Sequence, residues 1–295
     1  MAVYKRTYKA YQGVMTPRWS RFTVLSRYGF SRLFESRMFT AFTVVCFVPF
    51  LIGLGYIYLV NSSAVQALLN IRAGNTMAAT INSNWFLGFL GFEGWMAFIL
   101  TAWGAPGMIS KDFANHSIQL YLSRPLSRAE YLLGKVSVLA ALLSFTTWVP
   151  ALILFAIEAE LRGAGWGRQN LWMAGSIFVA CALWIALISL LAMAIAVWVR
   201  WRIAATLLLF GTFFLLPAFG FIMNLILRTT WGSLFNLPHM LTLVWASLFR
   251  IPLHHVQTSS EAIPLWAAWA SLLTVCLLSL WLLNLRLRAR EVERG

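Results

Sequence analysis

This sequence has few charged residues. Asp, Glu, Lys and Arg make up 11% of its 295 residues, against roughly 25% in ordinary soluble domains, whereas 60% of the chain is hydrophobic. A soluble fold could not bury that much apolar surface. The scarcity of charge therefore excludes a soluble domain and indicates a protein embedded in a membrane.

Cysteine is also scarce, and the histidines are poorly placed to bind a metal. Cys46, Cys181 and Cys276 lie inside apolar runs, without the paired spacing of a disulfide framework or a zinc site. His254 and His255 are adjacent, whereas a helical ligand pair needs a spacing of three or four residues. We therefore expect no disulfide and no metal, and a structural loop around the two histidines.

Catalytic motifs are missing as well. Gly134 and Lys135 resemble the end of a phosphate-binding loop, but Ala129 and Val136 stand where that loop needs a glycine and a Ser or Thr. The chain has no Gly-x-Ser-x-Gly elbow and no His-Glu-x-x-His helix, and Glu93 is the only acid well inside an apolar run. We expect no catalytic residue and no cofactor bound by this chain.

What the sequence does contain is six apolar runs, each long enough for a helix to cross a bilayer. The runs are continuous rather than alternating, and this favours helices over barrel strands. The prediction is an all-α membrane protein with one domain over 1–295: a tail and interfacial helix over 1–37, six spans over 38–283 and a tail over 284–295. The predicted spans cover residues 38–60, 85–109, 136–157, 171–199, 203–226 and 263–283.

The distribution of Lys and Arg predicts the orientation. If the N-terminus is cytoplasmic, eighteen of the 23 basic residues lie inside, and the five outside are Arg72, Arg162, Arg168, Arg228 and Arg250. Both termini are then cytoplasmic, in a multi-pass protein of a cell membrane, either a bacterial inner membrane or a plasma membrane. Topology also accounts for the net charge of +14, so we expect no nucleic-acid partner. Residues 1–37 lack the features of a cleaved secretory signal.

An amphipathic helix is predicted just before the first span, over residues 19–36. Plotted at 100° per residue, it gathers Trp19, Phe22, Phe30, Leu33 and Phe34 on one side and Arg21, Arg32 and Glu35 on the other, with Arg27 at the border. Such a helix lies in the membrane interface. On composition alone it could be a simple basic anchor that fixes topology.

The second span carries small residues and one acid. Gly88, Gly91 and Gly94 recur every third residue, and this predicts close packing against another helix, in the same chain or in a second copy. Glu93 stands among them, and a carboxylate in a bilayer is expected to face protein or water rather than lipid. Glu93 is thus a candidate for the transport pathway or for a structural, protonated group.

Residues 229–262 form an unusual external segment. It is rich in Trp, Phe and Leu, and Pro238 and Pro252 interrupt it. The segment is too short for two further crossings, so we predict an interfacial or re-entrant helical element.

The loop between the second and third spans carries an ordered set of polar and basic residues. Its members are Asp112, Ser117, Ile118, Leu120, Leu122, Ser123, Arg124, Pro125, Ser127, Arg128, Tyr131, Gly134 and Lys135. In this order they resemble the signature that follows the second span of ABC-2 type permeases, the membrane subunits of a large class of ABC exporters. His116 replaces the glycine of the family's Gly-Thr-Leu-like step.

Local chemistry predicts the shape of this loop. Pro125 disfavours helix at the residue before it, so a short helix around residues 115–123 should end there. Ser127 and Glu130 then form a capping box that starts the third span. The alternative is an ordinary loop without a docking function, whose basic residues only enforce topology.

The resemblance implies partners and roles. The short helix would be a coupling helix that docks on a separate ATPase subunit, which binds ATP and Mg, and the helix before the first span would be the family's elbow helix. The implied docking residues are Asp112, Asn115, His116, Ser117, Gln119, Arg124 and Arg128. The permease is expected to work as a homodimer or heterodimer in the lipid bilayer.

The leading hypothesis is therefore the permease subunit of an ABC exporter. A membrane scaffold or assembly factor that uses the same loop to hold a partner is the alternative, and a membrane enzyme acting on lipid comes third. Drugs, lipids, ions, peptides and polysaccharides all remain open as substrates, with a slight lean toward amphiphiles because Trp and Phe are abundant.

Overall fold

The computed structural model describes residues 21–62, 81–114, 128–199, 201–253 and 263–292, and every regular element in these ranges is helical. Six helical stretches are long and apolar enough to cross a membrane, which confirms the all-α class and the number of spans. Numbered as spans 1 to 6, they are Arg37–Asn61, Ser83–Met108, Glu130–Arg162, Ala164–Trp198, Arg202–Leu227 and Leu265–Arg286.

The helices extend beyond several predicted limits. Spans 3 and 4 each begin about two turns earlier than expected. The helix that contains span 2 is Ser83–Ala114, and the helix that contains span 6 is Leu265–Val292. Span 3 starts within the helix Arg128–Thr146, and Ser127, the predicted N-cap, lies outside the described residues.

Span 4 is the centre of the bundle. It packs against spans 2, 3, 5 and 6, and its buried face includes Ile177, Ala180 and Ile188. Spans 1, 5 and 6 are less buried in the single chain and leave large apolar surfaces exposed. Such surfaces suit contact with lipid or with another membrane subunit.

Prolines interrupt two spans that the sequence predicted as continuous. Span 1 is divided between the helices Arg37–Val45 and Val48–Asn61, and span 3 is divided between the helices Arg128–Thr146 and Trp148–Arg162. Pro49 and Pro150 lie in the first turn of the second piece in each case, where the missing N–H removes no helical hydrogen bond.

The two ends of the bundle differ in character. The end with Arg37, Lys135 and Arg202 is called the basic end here, and the end with Asn61, Arg162 and Leu227 is called the opposite end. At the opposite end, the Asn61 amide donates to Oε2 of Glu158 (2.7 Å), and Nε of Arg162 lies 2.5 Å from Oε1 of the same carboxylate. The Asn61 bond joins span 1 to span 3, and the Arg162 contact lies within span 3.

After span 5 the chain turns back into the bundle. A short 3-10 helix, Trp231–Phe235, returns along span 5, and the helix Leu237–Leu248, called the return helix here, then runs out again. Seven of its twelve residues are buried. Nε1 of Trp245 donates to the carbonyl of Ala180, midway along span 4 (3.0 Å). Of the two forms predicted for this segment, the described part is re-entrant.

Asn224 and two glycines hold this return in place. Oδ1 of Asn224 accepts from the Gly232 amide (2.7 Å), and its Nδ2 donates to the Ser233 hydroxyl (2.8 Å). A Cβ on Gly220 or on Gly232 would collide with the backbone of the other residue. The close approach of the two chain segments therefore requires glycine on both sides.

Candidate functional site

Glu93 lies inside the bundle, as expected for an intramembrane acid. Its side chain is 1% exposed, and neither carboxyl oxygen has a hydrogen-bond partner among the described residues. A buried carboxylate without partners is costly in its ionised form. Glu93 therefore faces the protein interior, in an apolar environment.

The three glycines around Glu93 have different surroundings. A Cβ on Gly94 would lie 3.4 Å from the Trp245 ring and 3.6 Å from Nε1 of Trp184, so Gly94 permits tight packing against span 4 and the return helix. A Cβ on Gly88 or Gly91 would meet nothing within 4 Å. Among the described residues of this chain, other helices therefore pack closely against the predicted face only at Gly94. Gly88 faces open space.

An aromatic cavity adjoins this region. It has a volume of about 60 Å³ and lies between spans 2, 4 and 5 and the return helix. Its wall includes Gly91, Trp95, Trp184 and Phe213. Nε1 of Trp184 is buried and has no hydrogen-bond partner among the described groups. A space of this size suits one or two water molecules rather than a large substrate.

At the basic end, side chains of span 5 bind the main chain of span 2 where Pro106 disturbs it. Pro106 cannot donate to the carbonyl of Ala102, and the Thr206 hydroxyl donates to that oxygen instead (2.9 Å). Nη2 of Arg202 donates to the carbonyl of Trp103 (3.2 Å). These bonds satisfy carbonyl groups that lipid could not satisfy.

Lys135, the last residue of the loop signature, bridges the two spans that the loop connects. Its side chain is 6% exposed, and Nζ donates to the carbonyl of Met108 at the end of span 2 (3.2 Å). The two ends of the loop are therefore joined at its base. The sequence does not predict this contact, because it spans 27 positions and depends on how spans 2 and 3 pair.

The helix before span 1, Arg21–Phe34, packs on the start of span 3. The hydroxyls of Ser26 and Ser137 lie 2.6 Å apart, and Ser26 also donates to the carbonyl of Gly134 (3.2 Å). A Cβ on Gly29 would lie 2.8 Å from the Val138 side chain, so glycine allows the helices to approach closely. The helix is thus fixed to the residues that end the loop signature.

The packed stripe of this helix overlaps the predicted apolar face only in part. Leu25, Gly29 and Leu33 are buried, Phe30 is half-buried and Arg27 is exposed. Phe34, predicted on the apolar side, is 40% exposed. Trp19 lies outside the described residues, as does the side chain of Phe22. Among the predicted apolar residues whose side chains are described, Leu33 is the one that is fully buried.

Most of the predicted docking residues also fall outside the described part of the chain. They are Asn115, His116, Ser117, Gln119 and Arg124. Asp112 belongs to the last turn of the helix Ser83–Ala114, and Arg128 is the first residue of the helix Arg128–Thr146. The predicted docking residues therefore start at the end of span 2 and finish at the start of span 3.

No protein-family model matches this chain, and no curated protein matches its sequence significantly.

Proposed function

We propose that this chain is the permease subunit of an ATP-driven exporter of the ABC-2 type, which works with separately encoded ATPase subunits. The ordered loop residues support this assignment, above all Leu122 to Pro125 followed by Ser127, Arg128 and the Gly134–Lys135 pair. The six spans and the helix ahead of span 1 agree with the arrangement expected of such a permease.

The observation that carries the proposal is the bond from Lys135 to the Met108 carbonyl. This contact ties the end of span 2 to the start of span 3, so a displacement of the loop would move both spans together. The Ser26 contacts to Gly134 and Ser137 tie the N-terminal helix to the same point. A loop mounted in this way is suited to transmit motion from a partner that docks on it.

In the proposed mechanism, ATP binding closes a pair of ATPase subunits on the cytoplasmic side. The loop over residues 115–127 acts as the coupling element, and the N-terminal helix acts as the elbow helix. Their movement shifts spans 2 and 3 and switches a pathway between two permease subunits. The open surface at Gly88 is a candidate contact for the second permease subunit.

The test is co-purification from the native membrane. The tagged chain should retain an ABC ATPase whose hydrolysis depends on the permease. Arg124→Glu and Arg128→Glu should each lower the retained ATPase at least about ten-fold, because charge reversal at an interface can cost several kcal/mol. Arg290→Glu is the matched control, since it reverses one charge on the same predicted side of the membrane but in the C-terminal tail.

The outcomes separate the candidate functions. Loss of the ATPase in both loop variants and its retention in Arg290→Glu support the proposal. Retention in both loop variants contradicts docking through this loop. A loop-dependent partner without ATPase activity would instead favour the scaffold function.

A further inference from the structure

Pro106 marks a weak point within span 2. It lies inside the helix Ser83–Ala114, which continues for eight residues beyond it. A proline within a helix removes one main-chain hydrogen bond, and its ring crowds the carbonyl four residues earlier. Gly104 and Gly107 flank it, and glycine is a poor helix former. Sharp kinks in helices form mainly at proline, so this is the place where span 2 can bend.

The two parts of span 2 that Pro106 separates are attached to different elements. Beyond the proline, the Met108 carbonyl accepts the bond from Lys135 at the start of span 3, on which the N-terminal helix also packs. Before the proline, the Phe98 ring packs on the Phe210 ring of span 5, with the ring centroids 5.0 Å apart. A bend at Pro106 would therefore move the first group of elements relative to the second.

Span 5 also holds span 2 at the bend itself. The Thr206 hydroxyl donates to the carbonyl of Ala102 (2.9 Å), which is the group that the proline leaves without its helical hydrogen bond. Arg202 donates to the next carbonyl, that of Trp103 (3.2 Å). Thr206 is half-buried whereas Arg202 is exposed, so the threonine bond is the better shielded of the two.

We propose that Pro106 is a hinge in span 2 and that the Thr206 hydroxyl is a latch that holds this hinge against span 5. While the latch is closed, residues 107–114 keep one direction relative to the rest of the span. When it opens, the Ala102 carbonyl loses its partner, and the end of span 2 swings together with the start of span 3. The hinge requires only contacts within this chain, whereas its use in coupling the loop to a pathway rests on the proposed function.

A double-mutant cycle, measured by SDS unfolding in mixed micelles, tests the latch. Thr206→Val removes the hydroxyl with little change of shape and should raise the unfolding equilibrium constant about five-fold, because a carbonyl loses its hydrogen bond. In Pro106→Ala, the restored N–H can donate to Ala102. The valine change in that background should therefore alter the constant less than about two-fold.

Thr212→Val is the matched control on span 5. The Thr212 hydroxyl donates to the carbonyl of Leu209 in its own helix (2.7 Å), and not to span 2. Its effect on the unfolding constant should therefore be the same with proline or alanine at position 106.

Pulsed EPR on the full chain in nanodiscs tests the hinge, with spin labels on introduced cysteines in a background without the native ones. One pair joins the basic ends of spans 2 and 6, beyond Pro106, and the other joins these spans before it, toward the opposite end. The pairs are Lys111 with Leu285, and Phe92 with Trp266. Lys111 lies about 8 Å along the helix from Pro106, so a change of about 20° in the bend moves it about 3 Å.

The expected result is confined to the Lys111 pair. Thr206→Val should shift or broaden its distance distribution, whereas the Phe92 pair should stay unchanged and Thr212→Val should alter neither pair. Pro106→Ala should narrow the Lys111 distribution relative to wild type. This variant decides the question if Thr206→Val does not fold.

Three results would overturn the proposal. Unchanged Lys111 distances in Thr206→Val, or an unchanged width in Pro106→Ala, would overturn the hinge. Equal changes in both label pairs would show that span 2 moves as one piece. An equal effect of Thr206→Val with proline and with alanine at position 106 would overturn the latch. These measurements use no ATPase, so they are independent of whether the chain retains one.

Discussion

Among the residues whose burial is described, two acids are buried, Glu158 and Glu93, and their surroundings are opposite. Glu158 is fully buried and makes an ion pair with Arg162 and a hydrogen bond with Asn61. Glu93 is almost as buried but has no hydrogen-bond partner within the described ranges. Glu158 therefore links two spans through its hydrogen bond, whereas Glu93 makes no such link among the described residues.

This contrast predicts opposite effects of the same conservative change. Glu158→Gln should lower the unfolding free energy by about 1–3 kcal/mol, because it removes the charge that Arg162 faces; the Arg162 side chain is 26% exposed, so solvent screens part of the effect. Glu93→Gln should leave stability unchanged or raise it, because it loses no described bond. Unfolding in mixed micelles with increasing SDS measures both. A larger loss for Glu93→Gln than for Glu158→Gln would contradict this account.

At the scale of elements, the re-entrant segment depends on backbone contact between span 5 and the chain that follows it. Gly220→Ala should destabilise the protein by about 1–3 kcal/mol, because its Cβ would enter the space of the Gly232 carbonyl. Gly211→Ala is the matched control on the same helix, since its Cβ would meet only the Leu215 side chain at 3.5 Å. The melting temperatures of the two variants make the comparison. Equal melting temperatures would show that the close contact is not needed.

The elements differ in how far the sequence could predict them. Apolar run length locates all six spans, because each crossing needs a similar length of chain in lipid. It does not reveal the interruptions before Pro49 and Pro150, since the runs stay apolar across them. Nor does apolarity identify the packed stripe of the N-terminal helix, because Gly29 contributes close approach rather than a hydrophobic side chain.

The sequence predicts only part of the candidate site. The interior position of Glu93 follows from the cost of placing an acid in lipid. The bonds from Thr206 and Arg202 to span 2 connect residues about a hundred positions apart, and only the pairing of spans 2 and 5 brings them together. Pro106 indicates that the carbonyl of Ala102 lacks its helical hydrogen bond. It does not indicate which residue donates to that carbonyl instead.

At the scale of the whole molecule, the asymmetry of charge predicts the orientation in the membrane. The basic end carries Arg37, Lys135 and Arg202, and the positive-inside rule places it in the cytoplasm. Both termini and the loop over residues 115–127 should then be cytoplasmic, and the turn between spans 3 and 4 should be external. The proposed docking of an ATPase requires the same orientation, because ATP is available to it on the cytoplasmic side.

Single introduced cysteines test this orientation in intact cells. The background should lack Cys46, Cys181 and Cys276, and the reporters are Asn115→Cys, Arg290→Cys and Ala164→Cys. Ala164 is exposed at the first residue of span 4, whereas the preceding Gly163 has a φ of 92° that a cysteine would adopt only with strain. An impermeant thiol reagent should label only Ala164→Cys in intact cells and all three after permeabilisation. Labelling of Asn115→Cys in intact cells would reverse the topology and would also remove the proposed ATPase contact, because the loop would then face away from ATP.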